Sequence, residues 1–400
     1  MEDKIYTDNA IVVSALTLLF TDIFGCISIS QQFLFVMMLP FIISQYGKEL
    51  IYKRAFSLLL IGICLNCASS YIFRSQDFFH TLVADMPFMH IFFFYVLYAL
   101  SPSVDCIRKA LVILILLYCA FYIVQVNLAK YGIILYSMSE RAFDSVMNNT
   151  DGLFRLRIPG SALASLAIFL GIDSYLHTKK YIYLALSIVG LYVIVLMNFR
   201  SLLFVLPLFL FFYLYKVNKI KIESVVYILI SIVILYALYL YFQPVKFAID
   251  AMFERAEDNN FSNSDYIRNI NLNYFLNVHF KSPLEYFFGS GMPYKASNIY
   301  ANQMIELAQY HKIFWVDWGL LGLSWMLGVL PVMAMVYYCV IAYKKSNANT
   351  YFLSIWLLFL ISCSITSKEF YREGNLVIQA LVLYLIFKSN LNYEDRNTNI

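Results

Sequence analysis

The chain alternates long apolar stretches with short polar ones. Apolar runs fall at 9–26, 31–46, 55–73, 81–100, 110–128, 159–176, 181–198, 201–215, 224–243, 313–341, 351–366 and 374–388. Most approach the roughly 20 residues an α-helix needs to cross a bilayer. The pattern predicts an all-α, polytopic membrane protein of about 12 transmembrane helices. Two polar intervals interrupt the rhythm. One lies at 129–158; the other, at 244–312, is far longer than an ordinary connection and is expected to hold short helices. The chain therefore divides into nine helices over 1–243, an outer loop over 244–312, and three helices with a tail over 313–400.

Composition agrees with this division. Hydrophobic residues make up 61% and charged residues 14%, against about half and a quarter in a soluble domain; mean hydropathy is +0.69. The opening Met1-Glu2-Asp3-Lys4 lacks a basic leader, so the first run is expected to stay as a helix rather than be removed as a signal. With the N-terminus inside, the short inner loops carry Lys48, Lys53, Arg54, Arg108, Lys109, Lys179, Lys180, Lys216, Lys219, Lys221, Lys344 and Lys345. Basic inner loops fix the orientation, with both termini cytoplasmic. The seven cysteines lie in or beside apolar runs. Cys64 and Cys67 form a CxxC without a second pair, and read as small core residues rather than a metal or redox site.

In this frame the inner side uses mostly lysine. The outer side holds Arg74, Arg141, Arg155, Arg157, Arg200, Arg255, Arg268 and Arg372. Orientation needs only a charge, whereas the planar donor fork of arginine grips phosphate or carboxylate. The plainer expectation is that about half of these arginines form solvated pairs with acids such as Asp144, Glu254, Asp265 and Glu369. In the long loop, Asn263-Ser264-Asp265 reads as a helix cap, and Ile267, Ile270, Tyr274 and Val278 recur at helical spacing. They would bed that helix on the membrane or on neighbouring helices. Ser282-Pro283 is expected to end it, Gly289-Ser290-Gly291 to form a turn, and a further helix to start near Ser297.

Several residues then invite chemistry. Arg200 sits between two apolar runs with almost no loop, so it either snorkels to the head groups or binds an anion. Arg155, Arg157, Arg255 and Arg268 lie in polar segments and weigh less singly. His311, just before the tenth run, is either an interfacial residue or a base for an attacking hydroxyl. Asp317, one or two turns inside that run, is either a second acid/base or the partner of an outer arginine. No phosphate loop, Rossmann fingerprint or zinc spacing occurs.

These motifs together resemble the O-antigen polymerase/ligase family. Asn198-Phe199-Arg200-Ser201 is similar to its arginine pair at a helix start. Arg268, Ser282-Pro283-Leu284 and Gly289-Ser290-Gly291 are similar to its loop motif, and His311 with Trp318-Gly319-Leu320-Leu321-Gly322-Leu323 to its histidine and following helix. Lys312 departs from the asparagine frequent after that histidine. The likeness spans about 155–323. It implies a C-type glycosyltransferase architecture in the bacterial cytoplasmic membrane, acting on undecaprenyl-diphosphate-linked glycans without metal or cofactor. By that likeness Arg200 and Arg268 would contact the diphosphate and His311 would activate the acceptor. Arg155, Arg157, Arg255 and Asp317 would be secondary substrate-binding residues.

The expected function is polymerisation of a surface polysaccharide at the outer membrane face, moving a growing glycan onto a lipid-linked repeat unit. A ligase differs only in acceptor. Expected partners are the lipid-linked oligosaccharide, the bilayer and a chain-length regulator, with no nucleic acid. The rival from another class is a flippase or permease. Transporters usually place polar groups near the bilayer midplane in repeated halves; here those groups gather on the outer side and no repeat is found. A membrane sensor would need a soluble output domain, which the pattern lacks.

Overall fold

The computed structural model describes residues 2–21, 31–48, 50–129, 131, 133, 135, 156, 158–197, 199–218, 233, 236, 239–241, 246, 250, 267–294 and 299–398. The side chains of 2–8, 31–32, 200, 218 and 392–398 are outside that description. The described residues form helices and no strand. We label them α1 (Glu2–Thr21), α2 (Gln31–Tyr46), α3 (Lys53–Arg74), α4 (Phe78–Asp85), α5 (Phe93–Leu100), α6 (Val104–Ala129), α7 (Ala162–Thr178), α8 (Ile182–Met197) and α9 (Arg200–Asn218). After the long loop begins come α10 (Ile267–Tyr274), α11 (Pro283–Phe288), α12 (Ile299–Tyr310), α13 (Gly319–Leu327), α14 (Val329–Lys345), α15 (Tyr351–Cys363) and α16 (Asn375–Thr398). By length and composition, three spans can cross a membrane: Lys53–Arg74, Phe78–Leu100 and Val104–Ala129; further apolar helices are shorter. These spans mark a membrane-associated helical protein. The ninth run, 224–243, lies almost wholly outside the described residues.

Helix α16 is the axis of the bundle. Between Leu376 and Phe387 it is apolar on all sides and buried on all sides, touching α1, α5, α6, α7, α14 and α15. Its one interior amide, Gln379, accepts from Tyr338 Oη at 2.6 Å and donates to the Phe370 carbonyl at 2.6 Å. That pairing makes its burial tolerable.

The basic loops collect at one end of the bundle. Arg108 donates to the Asn349 carbonyl at 3.1 Å, Lys388 to Ser101 Oγ at 3.0 Å, and Lys216 lies over the rings of Tyr343 and Tyr351. Arg74, Arg372 and the end of the long loop sit at the other helix ends. This segregation matches the alternation expected from the charge pattern.

Two expected segments are broken. The fourth passes from α4 through a 3₁₀ turn, Met86–Phe92, with Pro87 at its start, into α5. The tenth is a 3₁₀ turn, Trp315–Trp318, then α13, then α14. Gly328, at φ 94°, separates those two helices. Asp317 consequently lies half-buried in the turn before the helix, not one or two turns inside it.

The break at Gly328 is made by the loop. Gly289-Ser290-Gly291 is not a surface turn: it runs buried alongside the end of α13. Ser290 N donates to the Trp325 carbonyl at 3.0 Å and Gly291 N to the Met326 carbonyl at 2.9 Å. From α3, Asn66 Nδ2 donates to the carbonyls of Phe288 and Met326 at 2.9 and 2.7 Å, and Ser69 Oγ to that of Gly289 at 2.7 Å. Buried backbone needs such partners, and irregular backbone in a bundle survives only where protein supplies them. Gly289 has φ 86°, and a Cβ there would stand 2.5 Å from both Gly328 N and the Met326 carbonyl oxygen.

Gly289→Ala is therefore expected to destabilise the protein by about 3 kcal/mol or more, combining backbone strain with overpacking. Gly47, where a Cβ would meet nothing within 4 Å, should accept alanine without loss. Thermal midpoints of the two variants in detergent check the contrast.

Candidate functional site

The polar end of α3 organises the loop. Asn66, Ser69, Ser70 and Arg74 share one helix face, and Arg74 ends the helix with its side chain 9% exposed. Its guanidinium is ion-paired through Nε to Glu285, which is fully buried, and donates through Nη2 to the His279 carbonyl. Its flat face lies 5.2 Å from the Tyr300 ring centroid. One arginine thus joins α3, the end of α10, α11 and α12.

The sequence around Glu285 explains its position. Ser282 caps α11, accepting from Leu284 N at 3.2 Å, and Pro283 occupies the first turn. Glu285 follows in the place of a capping-box acid and accepts from Lys281 N at 2.7 Å. Ser282-Pro283 consequently begins a helix instead of ending the previous one. That earlier helix finishes in a π turn, Phe275–His279. Its buried face is Asn271, Phe275 and His279, whereas Ile270 and Val278 are exposed. The cap expected at 263–265 lies outside the described residues.

His279 completes the anchor. Its Nε2 lies 3.0 Å from Ser290 Oγ, which also receives Tyr300 Oη at 3.0 Å. Burial, reinforced by the Arg74 guanidinium, holds the imidazole down at about 3, so it is neutral at physiological pH. The sequence alone gives His279 no role and does not pair Glu285 with Arg74; the Ser282-x-x-Glu285 pattern signals the start of α11 but not that partner.

A second assembly surrounds the 3₁₀ turn Trp315–Trp318, which carries Asp317. Trp318 Nε1 donates to the Arg268 carbonyl at 3.2 Å, which sets the start of α10 beside Asp317. Trp315 stacks on Tyr371, with centroids 6.3 Å apart, and Tyr371 Oη donates to the Gly319 carbonyl at 3.0 Å. Next to Tyr371, Arg372 lies 4.4 Å from the Phe199 ring centroid. Phe199 directly precedes Arg200, the first residue of α9. The backbone of Arg268 is thus held at the turn that carries Asp317, and Arg372 meets the residue before Arg200. The Arg268 side chain is half-buried and has no hydrogen bond or ion pair to a described residue.

Arg372 is itself committed. It pairs with Glu369, both nearly inaccessible. Glu369 Oε2 accepts from Ser161 Oγ at 3.0 Å, and Asn375 Oδ1 accepts from Ala162 N at 3.0 Å. The start of α7 is thereby fastened to the start of α16. Solvated arginine pairs were expected; the two observed, Arg74–Glu285 and Arg372–Glu369, are buried.

His311 is exposed at the end of α12, three residues before Phe314, whose carbonyl lies 3.4 Å from Asn271 Nδ2. Lys312 follows at φ 55°, and Ile313 N donates back to the Leu307 carbonyl at 3.0 Å. Lys312 thus takes the left-handed helix-ending position that glycine or asparagine fills most readily. Arg155, Arg157 and Arg255 lie outside the described residues, as does the side chain of Arg200. No group of three or more His, Cys, Asp or Glu able to hold a metal ion occurs among the described residues. Comparison with family models, with curated proteins and with solved structures gives no match.

Removing one member of the Arg74–Glu285 pair leaves a buried charge unpaired. Glu285→Gln should cost about 3–5 kcal/mol, whereas the double variant Arg74→Met, Glu285→Leu should cost much less; thermal or denaturant unfolding in detergent compares them. A second expectation concerns acid. The folded pKa of His279 lies below its unfolded value, near 6.5, so its neutral form stabilises fully above that pH. The contribution fades as pH falls toward 3, because the unfolded chain then takes up the proton first. The wild-type thermal midpoint should drop between pH 6.5 and 4.5 more steeply than that of His279→Gln.

Proposed function

We propose that this chain is a glycosyltransferase of the O-antigen polymerase/ligase type, with twelve membrane helices and its arginine-bearing end at the outer face of a bacterial cytoplasmic membrane. The observation that carries the reading is Arg268, half-buried and with its side chain unpaired among the described residues, whose backbone is held at the turn that carries Asp317. Both other described outer arginines are consumed by buried acids. Among the described residues, Arg268 alone of the outer arginines keeps its side-chain donors for a ligand.

The chemistry suits such a group. In transfer from a lipid diphosphate, an acceptor hydroxyl oxygen attacks the anomeric carbon, the bond from that carbon to the diphosphate breaks, and the hydroxyl proton departs. The leaving diphosphate gathers negative charge, which Arg268 and Arg200 would stabilise. His311, exposed at the end of α12, would accept the proton. Holding both lipid-tethered reactants in one place supplies much of the remaining acceleration. The same arrangement serves a polymerase or a ligase, since the two differ in the acceptor. Polymerisation is the favoured reading, with a chain-length regulator as partner.

Chain length in cells lacking this protein tests it. Wild type should restore a ladder of repeats, while Arg268→Ala, Arg200→Ala and His311→Ala at matched expression should each lower polymerisation about 100-fold. Arg268→Lys should recover only part, having charge without the fork. Full-length polymer held on the carrier lipid after deletion would mean ligation, and repeat units trapped on the cytoplasmic face would mean transport.

A further inference from the structure

The loop carries an apolar surface that none of the described residues covers. On α11, Leu284 is 59% and Phe287 43% exposed, while Glu285 between them is fully buried. Three residues apart on one helix, they lie on the same outward face. Beside them is a groove of about 310 Å³ lined by Leu276, Phe280, Lys281, Ser282, Pro283 and Tyr286. Leu276 is 48% exposed. Soluble surfaces rarely leave an apolar strip of this kind to water.

Its height relative to the helices identifies what covers it. α3 has 22 residues, which span about 33 Å, close to the roughly 30 Å of a hydrocarbon core. Lys53 and Arg54 stand at one end and Arg74 at the other. With α3 spanning the hydrocarbon core, Phe73 and Arg74 would lie at head-group level, and the exposed apolar α3 residues Ile61 and Ile72 would face lipid. Lys281 Nζ donates to the Phe73 carbonyl at 2.8 Å, and Glu285 pairs with Arg74. These two bonds set α11 and the groove at the same level, beside the lipid-facing row of α3. The lysine charge also falls at the depth of lipid phosphates, where a cation is favoured.

We propose that Leu276–Phe287 is an interfacial anchor whose partner is the outer leaflet of the bilayer, with Leu284 and Phe287 among the acyl chains and Lys281 at the phosphates. Asn273 on α10 and Asn277 in the π turn that follows, both exposed and bonded to each other, form its water side. This stretch of the loop therefore lies flat on the membrane instead of standing in solvent, and whatever it covers is presented at head-group height. The inference needs the membrane placement of α3 but not the glycosyltransferase reading.

Nitroxide labels at Leu284→Cys, Phe287→Cys, Asn277→Cys and Ile61→Cys, in vesicles of phosphatidylethanolamine and phosphatidylglycerol, test it. The signal of the unsubstituted protein is subtracted, and power saturation compares oxygen with a nickel chelate. Positions 284 and 287 should favour oxygen, as position 61 does, and 277 should favour nickel. Nickel access at 284 and 287 would put the strip in water, and shielding from both reagents would put it against protein; either result overturns the anchor. Position 61 favouring nickel would overturn the placement of α3 on which the anchor depends. Either of 284 and 287 suffices if the other variant unfolds, which its thermal midpoint reveals.

Discussion

A backbone amide buried away from water must find an acceptor, and the Gly289–Gly291 segment obtains two by opening the tenth helix at Gly328. Much else at this end of the molecule follows from that exchange. Asn66 and Ser69 face inward on α3 because the carbonyls of Phe288, Gly289 and Met326 need donors there. Glycine stands at 289 because the approach of Gly328 and Met326 leaves no room for a side chain. Arg74, Glu285 and His279 then close over the segment, each using its partner to offset the cost of burial. The described stretch from Ile267 to Tyr294 is thus a folded part of the bundle.

Two buried arginines sharpen the meaning of the third. Arg74 and Arg372 are both ion-paired, stacked on aromatic rings and almost sealed from solvent. They act as joints, one fastening the loop to α3 and the other linking the starts of α7, α9 and α16. Arg268 differs in that its backbone is fixed by Trp318 while its guanidinium stays uncommitted among the described residues. A fixed base under a donor fork with no described partner suits the proposed recognition of an anion.

Apolar periodicity revealed most of the helices because composition and length decide that question locally. α8 and α9 lie within a few residues of the expected runs, and Arg108, Lys216 and Lys388 meet at the end where the inner basic loops were expected. The interruptions were not legible. A glycine inside an apolar run, such as Gly328, reads as tolerated until the segment that displaces the helix is known, and that segment lies 35 residues before its partner Trp325, at Ser290. Gly289-Ser290-Gly291 reads as a turn because its glycines signal positive φ, which they do adopt, at 86° and 88° for the two glycines, but in a buried passage. Arg74 and Glu285 stand 211 residues apart, so no local rule pairs them. Arg268 and Asp317 were singled out in sequence, while their nearness is set by Trp318.

The position of α16 in the chain has a consequence for biogenesis. Helices leave the ribosome in order, and the axis of this bundle appears after every helix that packs on it. Until its 24 residues emerge, α1, α5, α6, α7, α14 and α15 lack the surface against which they pack. The loop waits as well: Asn66 and Ser69 are made long before Gly289, but Trp325 and Met326 come only after it. A nascent chain halted before α16 is therefore missing the centre of the structure, not an edge. For quality-control proteases in the membrane, the arrival of this helix and acquisition of the fold become a single event.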